Sequence, residues 1–221
     1  LLFPYVKGKD FVLRALREQG WAGVRQLFRD LPESSEQILH PEKYYGPRDR
    51  PTRIVFPQLA AHLGRGWTLR VEDTLGELGI GLLLQTLTGR VMDSLRAAQG
   101  WDGDRFALLE KGPAAETRRG LLWLSTWDTR GCAHRFLGAC RDAVAARLDA
   151  PPDRKSTRMY GWTGLEKRAI LLSRWGREVL LLDGFTQLEQ AGIRRWLSAC
   201  KHAGTLFAED HRDDVEPERQ F

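Results

Sequence analysis

From Gly100 onward the hydrophobic period changes twice in the same order, and no other feature of the 221 residues constrains the fold so strongly. Residues 105–110 and 120–127 alternate apolar and polar positions, the period-two pattern of strands. Residues 129–148 then switch to a helical period, with Phe136, Leu137, Cys140, Val144 and Leu148 on one face. Residues 169–175 and 178–182 form a second strand pair around Gly176. Thr186 with Glu189 then caps a helix carrying Leu188, Ile193, Leu197 and Cys200 as far as Gly204. The pattern predicts an α+β chain: a mainly helical N-terminal half, then an antiparallel four-stranded sheet with two helices on one face. Gly100, Trp101, Asp102 and Gly103 echo Gly161, Trp162, Thr163 and Gly164, which leaves a duplicated β-β-α unit and a chance match both open. The predicted division is 1–99, helical; 100–205, α+β module; and 206–221, a charged tail expected to be peripheral.

Before Gly100 helices dominate. Phe11, Val12, Ala15 and Leu16 recur at helical spacing up to a stop at Gly20, and Val24, Leu27 and Phe28 continue in a second helix. Residues 54–56 and 67–71 read as short strands. Thr74 with Glu77 reads as a capping box for a helix burying Leu75, Leu78, Leu82 and Leu83 and ending at Gly89, followed by a helix from Val91 to Ala98.

The densest chemistry lies between Ser34 and Tyr44. Ser34 with Gln37 reads as a capping box, and Pro41 forbids the helix from passing His40. The imidazole is thereby placed at a helix C-terminus, where the macrodipole favours its charged form. Glu36, four residues earlier on the same face, is placed to hold an imidazolium, while Glu42 and Lys43 read as a surface ion pair. A buried or capping histidine is the plainer alternative.

Phe3, Pro4, Tyr5, Gly8, Phe11, Gly20, Trp21, Pro32, the run from Ser34 to Tyr44, the run from Glu72 to Leu78 and the run from Gly100 to Arg105 together resemble a family of bacterial proteins of the zinc-metallopeptidase (gluzincin-like) type. The resemblance covers most of residues 1–205. It implies a His-Glu-x-x-His helix and a Glu-Gly-Asp-Ala helix upstream, and neither motif occurs in this sequence. On that footing the chain is the C-terminal part of such a protein and supplies cleft or substrate-positioning residues, with zinc expected only in the full-length product. The implied partners are the upstream segment and a peptide or protein substrate, and the implied location is the cell envelope or outside the cell. His40 and Tyr44 are then the candidate catalytic donors, with Glu36 and Glu42 as binding residues. The alternative is a non-catalytic binding or assembly module that keeps the fold without zinc.

Composition narrows the field. The five histidines are His40, His62, His134, His202 and His211, none at zinc-site spacing, so no metal ligands are expected within the chain. Cys132, Cys140 and Cys200 form no Cys-x-x-Cys pair and read as small core residues. The net charge of +5 hides six acidic residues and two arginines from Glu209 on, which leave about +9 on the body. Those basic residues are scattered rather than striped, so nucleic-acid binding is not expected. No apolar run reaches about 18 residues, the length of a membrane span. Asp102 with Gly103 favours a turn, with Arg105 bridging to a neighbouring carboxylate, and Trp123 and Trp127 share a strand face suited to core packing. Gly-rich phosphate loops and Gly-x-Ser-x-Gly are absent.

Overall fold

The computed structural model describes residues 4–63, 66–113, 116–165 and 168–208. Its strands are β1 (Trp67–Asp73), β2 (Trp101–Lys111), β3 (Arg118–Trp127), β4 (Arg154–Ser156), β5 (Met159–Leu165), β6 (Arg168–Trp175) and β7 (Glu178–Phe185). All pair antiparallel in one open sheet of order β1-β2-β3-β7-β6-β5-β4. The helices are α1 (Lys9–Arg29), α2 (Ser35–Leu39), α3 (Glu42–Tyr45), α4 (Leu59–His62), α5 (Gly76–Thr88), α6 (Val91–Ala98), α7 (Arg130–Leu148) and α8 (Gln187–His202).

The fold is therefore α+β, but the sheet has seven strands where four were expected, and its two long helices lie on opposite faces. Along β7, Val179 and Leu181 join the core under α5, α6 and α7, whereas Leu180 and Leu182 join the core under α8 and α4. Every residue of β7 is buried, and a run of consecutive apolar residues such as Val179 to Leu182 demands cover on both sides. The two β-β-α units are also not rotational copies. A rotation about the sheet normal that carries β2 and β3 onto β6 and β7 keeps α7 on its own face, and α8 is on the other. The strands missed in the sequence, β4 and β5, lack apolar alternation: β4 is Arg-Lys-Ser, and β5 carries two glycines. Residues 54–56 contribute only a single bridge, Ile54 to Phe207. The sheet itself begins before residue 100, because β1 pairs along β2 from Trp67 to Asp73.

Local signals explain the helix ends. Thr129 caps α7 through the Cys132 amide, and Thr186 with Glu189 forms the full capping box of α8. Gly20 takes φ +61°, breaking α1 where the sequence placed a stop. On the α7 face Phe136 stacks on Trp127 with centroids 4.4 Å apart and meets Trp123 edge-on at 5.5 Å. Each such pair contributes about 1 kcal/mol beyond its burial. Phe11, Ala15 and Leu27 of α1 form a separate small core with Tyr44 and Tyr45. The α5 sequence is apolar nearly all round, so its period does not choose a face. Ile80 and Leu84 are buried, and Leu82 and Leu83, expected inside, are exposed.

Of the charged tail only residues 206–208 are described. Leu206 is buried, and Ala208 donates its amide to the Arg53 carbonyl. Residues 209–221 lie outside the described residues. Among the described residues no helix is long and apolar enough to cross a membrane.

Candidate functional site

The α2 helix forms as its sequence dictates. Ser34 Oγ accepts from the Gln37 amide at 3.2 Å, and the helix ends at His40, whose amide still donates to the Glu36 carbonyl at 2.7 Å. The Gln37 side chain does not complete the box. It accepts from the Glu33 amide at 2.8 Å and donates to the Asp49 carbonyl at 2.7 Å, fastening the loop after α3 against α2. Pro41 then starts α3, which carries Lys43.

Two elements from the sheet side meet this corner: the N-terminus of α5 and the turn between β3 and α7. The result is a compact ionic cluster. Lys43 Nζ lies 2.7 Å from Glu36, 2.7 Å from Asp49 and 2.8 Å from Asp128. Glu36 is 2% exposed, and burial pushes its carboxyl up to about 7 against the pull of Lys43. The lysine is itself raised above its ordinary value, because hydrogen bonds to Asp128, Asp49 and Glu36 outweigh its own burial. His40 Nε2 is 2.8 Å from the buried Glu77, and its Nδ1 is 3.9 Å from the exposed Glu42. The Glu77 hydrogen bond raises the imidazole above its ordinary value despite partial burial. Among the described residues the second Glu77 oxygen, buried, finds no hydrogen-bond partner.

The expected residues thus separate. Glu36 and His40 join the cluster, but Glu36 serves Lys43 rather than the imidazole. Glu42 stands at its exposed rim. Tyr44 points into the α1 core, donating to the Asp30 carbonyl with Arg48 stacked 4.2 Å over its ring. The expected Glu42–Lys43 surface pair is replaced by the three-carboxylate cage. The Thr74–Glu77 spacing predicts a capping box, but Glu77 turns to His40 instead, and Asp49 and Asp128 carry no local signal of their role. Their approach is a tertiary event with no local spacing to reveal it.

What caps α5 is Asp104, from inside β2 rather than from a turn. One of its oxygens accepts from Gly76 N and Trp101 Nε1, both at 2.9 Å, and the other from Leu75 N at 3.0 Å and Trp123 Nε1 at 2.9 Å. Thr74 Oγ1 donates to the Asp104 carbonyl at 2.9 Å. Gly76 takes φ +70°, and a Cβ there would stand 3.0 Å from Ser35 Oγ, so glycine lets α5 start against α2. Arg105 does bridge to a carboxylate, Glu72, at 2.8 Å.

Glu36, Asp49 and Asp128 are the one group of three metal-ligating side chains that converge among the described residues. Lys43 already lies against all three. The donors are all carboxylate oxygens, whereas zinc sites combine any carboxylate with imidazole or thiolate ligands, and His40 Nε2 is committed to Glu77. These residues do not fit zinc.

Residues 67–194, more than half of the chain, match a family model described as a domain of unknown function, DUF8575. The chain belongs to this family. No curated protein and no solved structure gives a significant match. The DUF8575 segment contains Glu77, Asp104 and Asp128, while Glu36, His40, Lys43 and Asp49 precede it. The cluster therefore joins the family domain to the helices before it.

The ionisation of this joint predicts a pH dependence. Glu36 titrates near 7 in the fold against 4.5 when unfolded, so the native state binds the extra proton and stability falls as pH rises through that window, by on the order of 3 kcal/mol. His40 acts in the same sense: its stabilisation is full below 6.5 and is lost as pH rises through its raised folded value. Glu189 works oppositely. Burial disfavours its charge, but bonds from Thr186, Trp67 and Arg118 hold it down to about 2, so its stabilisation is lost as pH falls below 4.5. Urea midpoints are expected to peak near pH 5 and decline toward pH 8, with Glu36→Gln flattening the decline. A midpoint that rises from pH 5 to 8 contradicts this.

Proposed function

We propose that this chain is the non-metal-bearing C-terminal part of a protein of the zinc-metallopeptidase type, and that it presents His40 as a positioned donor in that protein's cleft. The observation that carries the reading is the His40–Glu77 pair. A carboxylate buried on α5 grips one ring nitrogen of a half-buried imidazole, and the other nitrogen faces the exposed Glu42. A third group that fixes a ring from behind is how hydrolases aim a general acid or an oxyanion donor. Glu77 favours the imidazolium, the form able to donate toward developing negative charge. The Tyr44 hydroxyl is already donated to Asp30, so the reading rests on His40. Any zinc is assigned to residues this sequence does not carry, and the reading keeps the expectation of a peptide substrate and a cell-envelope location.

The test uses the full-length gene product. It is expected to hold one zinc per chain and to cleave an unfolded protein substrate. His40→Gln is expected to lower kcat by about 100-fold, the lower end of the range for loss of one transition-state donor, with little change in KM or zinc content. Unchanged kcat in His40→Gln overturns the assignment of His40. Absence of zinc from the full-length product overturns the peptidase reading and leaves the second one, a non-catalytic assembly module. That second reading is favoured by the apolar outer face of α5 and α6, where Leu82, Leu83, Val91, Met92 and Leu95 are exposed.

A further inference from the structure

At the far edge of the sheet from the His40 corner, the connection after α7 and the β4–β5 hairpin border an open cleft of about 460 Å³, a volume within the range of small-molecule sites, with Lys155, Ser156 and Thr157 exposed along it. Its walls are Pro151, Pro152 and the ring of Tyr160; its polar groups are Arg141, Lys155, Ser156 and Thr157. The two prolines fix their φ angles, so this wall is rigid before anything binds. Arg141 is held in place: its guanidinium lies 5.4 Å over the Tyr160 ring, donates to the Tyr160 hydroxyl at 3.4 Å and pairs with Asp142 at 2.6 Å.

The polar groups are less fully engaged than those of the His40 cluster. Lys155 has no hydrogen-bond or ion-pair partner among the described residues, and neither does the Thr157 hydroxyl. Ser156 Oγ accepts from the Arg158 amide at 3.3 Å, which leaves its own proton to donate. No acid lines the cleft, and two of those flanking it are occupied: Asp142 by Arg141, and Asp153 by the amide and hydroxyl of Thr163 at 2.6 Å. A free ammonium and two free hydroxyl donors beside a rigid apolar wall match a ligand with an oxyanion at one end and a flat apolar body at the other. Among the described residues, no carboxylate lines the cleft to receive a cation.

We propose that the cleft between α7, the Pro151–Pro152 connection and the β4–β5 hairpin binds a small organic oxyanion. Its acid group lies on Lys155, Ser156 and Thr157, and its apolar body lies against Pro151, Pro152 and Tyr160. The site lies within the DUF8575 segment and is independent of the reading given for His40.

The test is a titration of the isotopically labelled chain with phenyl phosphate and with benzoate, followed by amide NMR. Saturable shifts confined to residues 150–160 are expected with at least one of the two probes. Lys155→Gln is expected to weaken that binding about tenfold, the worth of one charge-assisted contact, while leaving the remaining spectrum unchanged. Inorganic phosphate and benzyl alcohol, the separated head and body, are expected to bind at least about tenfold more weakly than the intact probe. Three results would overturn the proposal: no saturable shift with either probe, binding indifferent to Lys155→Gln, or inorganic phosphate binding as tightly as the better probe.

Discussion

Replacing Lys43 by methionine is expected to destabilise the protein by about 3–5 kcal/mol, the cost of removing one partner from a buried ionic group. The substitution keeps the aliphatic stem and deletes only the charge. Glu36, Asp49 and Asp128 would then face one another across the space Lys43 Nζ now fills, their ligand oxygens within 4.8 Å. Asp49 and Asp128 are partly exposed and can swing toward water; Glu36 cannot. The loss is therefore expected to shrink at pH 5, where Glu36 is protonated, and to be recovered in part by the double variant Glu36→Gln, Lys43→Met. Urea unfolding of the two single variants and the double variant at pH 5 and pH 8 measures each term. A loss below about 1 kcal/mol for Lys43→Met at pH 8 would reduce the cage to an ordinary surface ion pair.

The cage also marks the limit of what was legible in the sequence. Several signals confined to three or four residues match the structure, whereas the Thr74–Glu77 spacing makes no capping box and Asp102 with Gly103 lies in the irregular start of β2 rather than in a turn. Ser34 caps α2, Thr186 caps α8 with Glu189, and Gly89 ends α5 in the left-handed region at φ +70°. The strands β1, β2, β3, β6 and β7 emerged to within a few residues. What the period could not convey was which side each apolar face turns toward, since a strand buried on both faces shows no alternation to interpret. Hence α7 and α8 were expected on one face, and two weakly apolar strands went unseen.

At the site the same distinction holds. His40 and Glu36 stand in a capped helix whose start and stop are written locally, so both drew attention. Their partners come from far along the chain: Glu77 lies 37 residues beyond His40, and Asp128 lies 85 beyond Lys43. Glu36 and His40 were expected to pair because they are four apart. The fold instead offers each a better partner, an ammonium for the carboxylate and a buried carboxylate for the imidazole.

The substitution that tests how the site is positioned lies outside it. Asp104→Asn preserves shape but places an amide NH2 where one carboxylate oxygen now receives two N–H donors. All four donors lose a charged acceptor, and the two on the replaced oxygen are set against another donor, for an expected loss of about 3–4 kcal/mol. Burial raises the Asp104 carboxyl and its four donors oppose the rise, so the folded wild type takes up this proton more readily than the unfolded chain, and the deficit is expected to widen in acid, where the wild type gains that stabilisation and the amide gains none. The consequence reaches His40 because Leu75 and Gly76, which Asp104 holds, fix the first turn of α5, and Glu77 is the next residue. With that turn released, the Glu77 contact lengthens, and the imidazole is expected to titrate closer to its ordinary 6.5, read from its ring resonances in NMR. Trp101→Phe removes one donor and leaves the carboxylate three, so it is expected to cost about 1 kcal/mol and to leave His40 where it was. If Asp104→Asn unfolds with the wild-type midpoint, or weakens the fold without moving the His40 titration, the buried carboxylate is a core fixture alone. If both move together, the strand that carries Asp104 sets the charge state of an imidazole on a different element, through a helix start that no local cap provides.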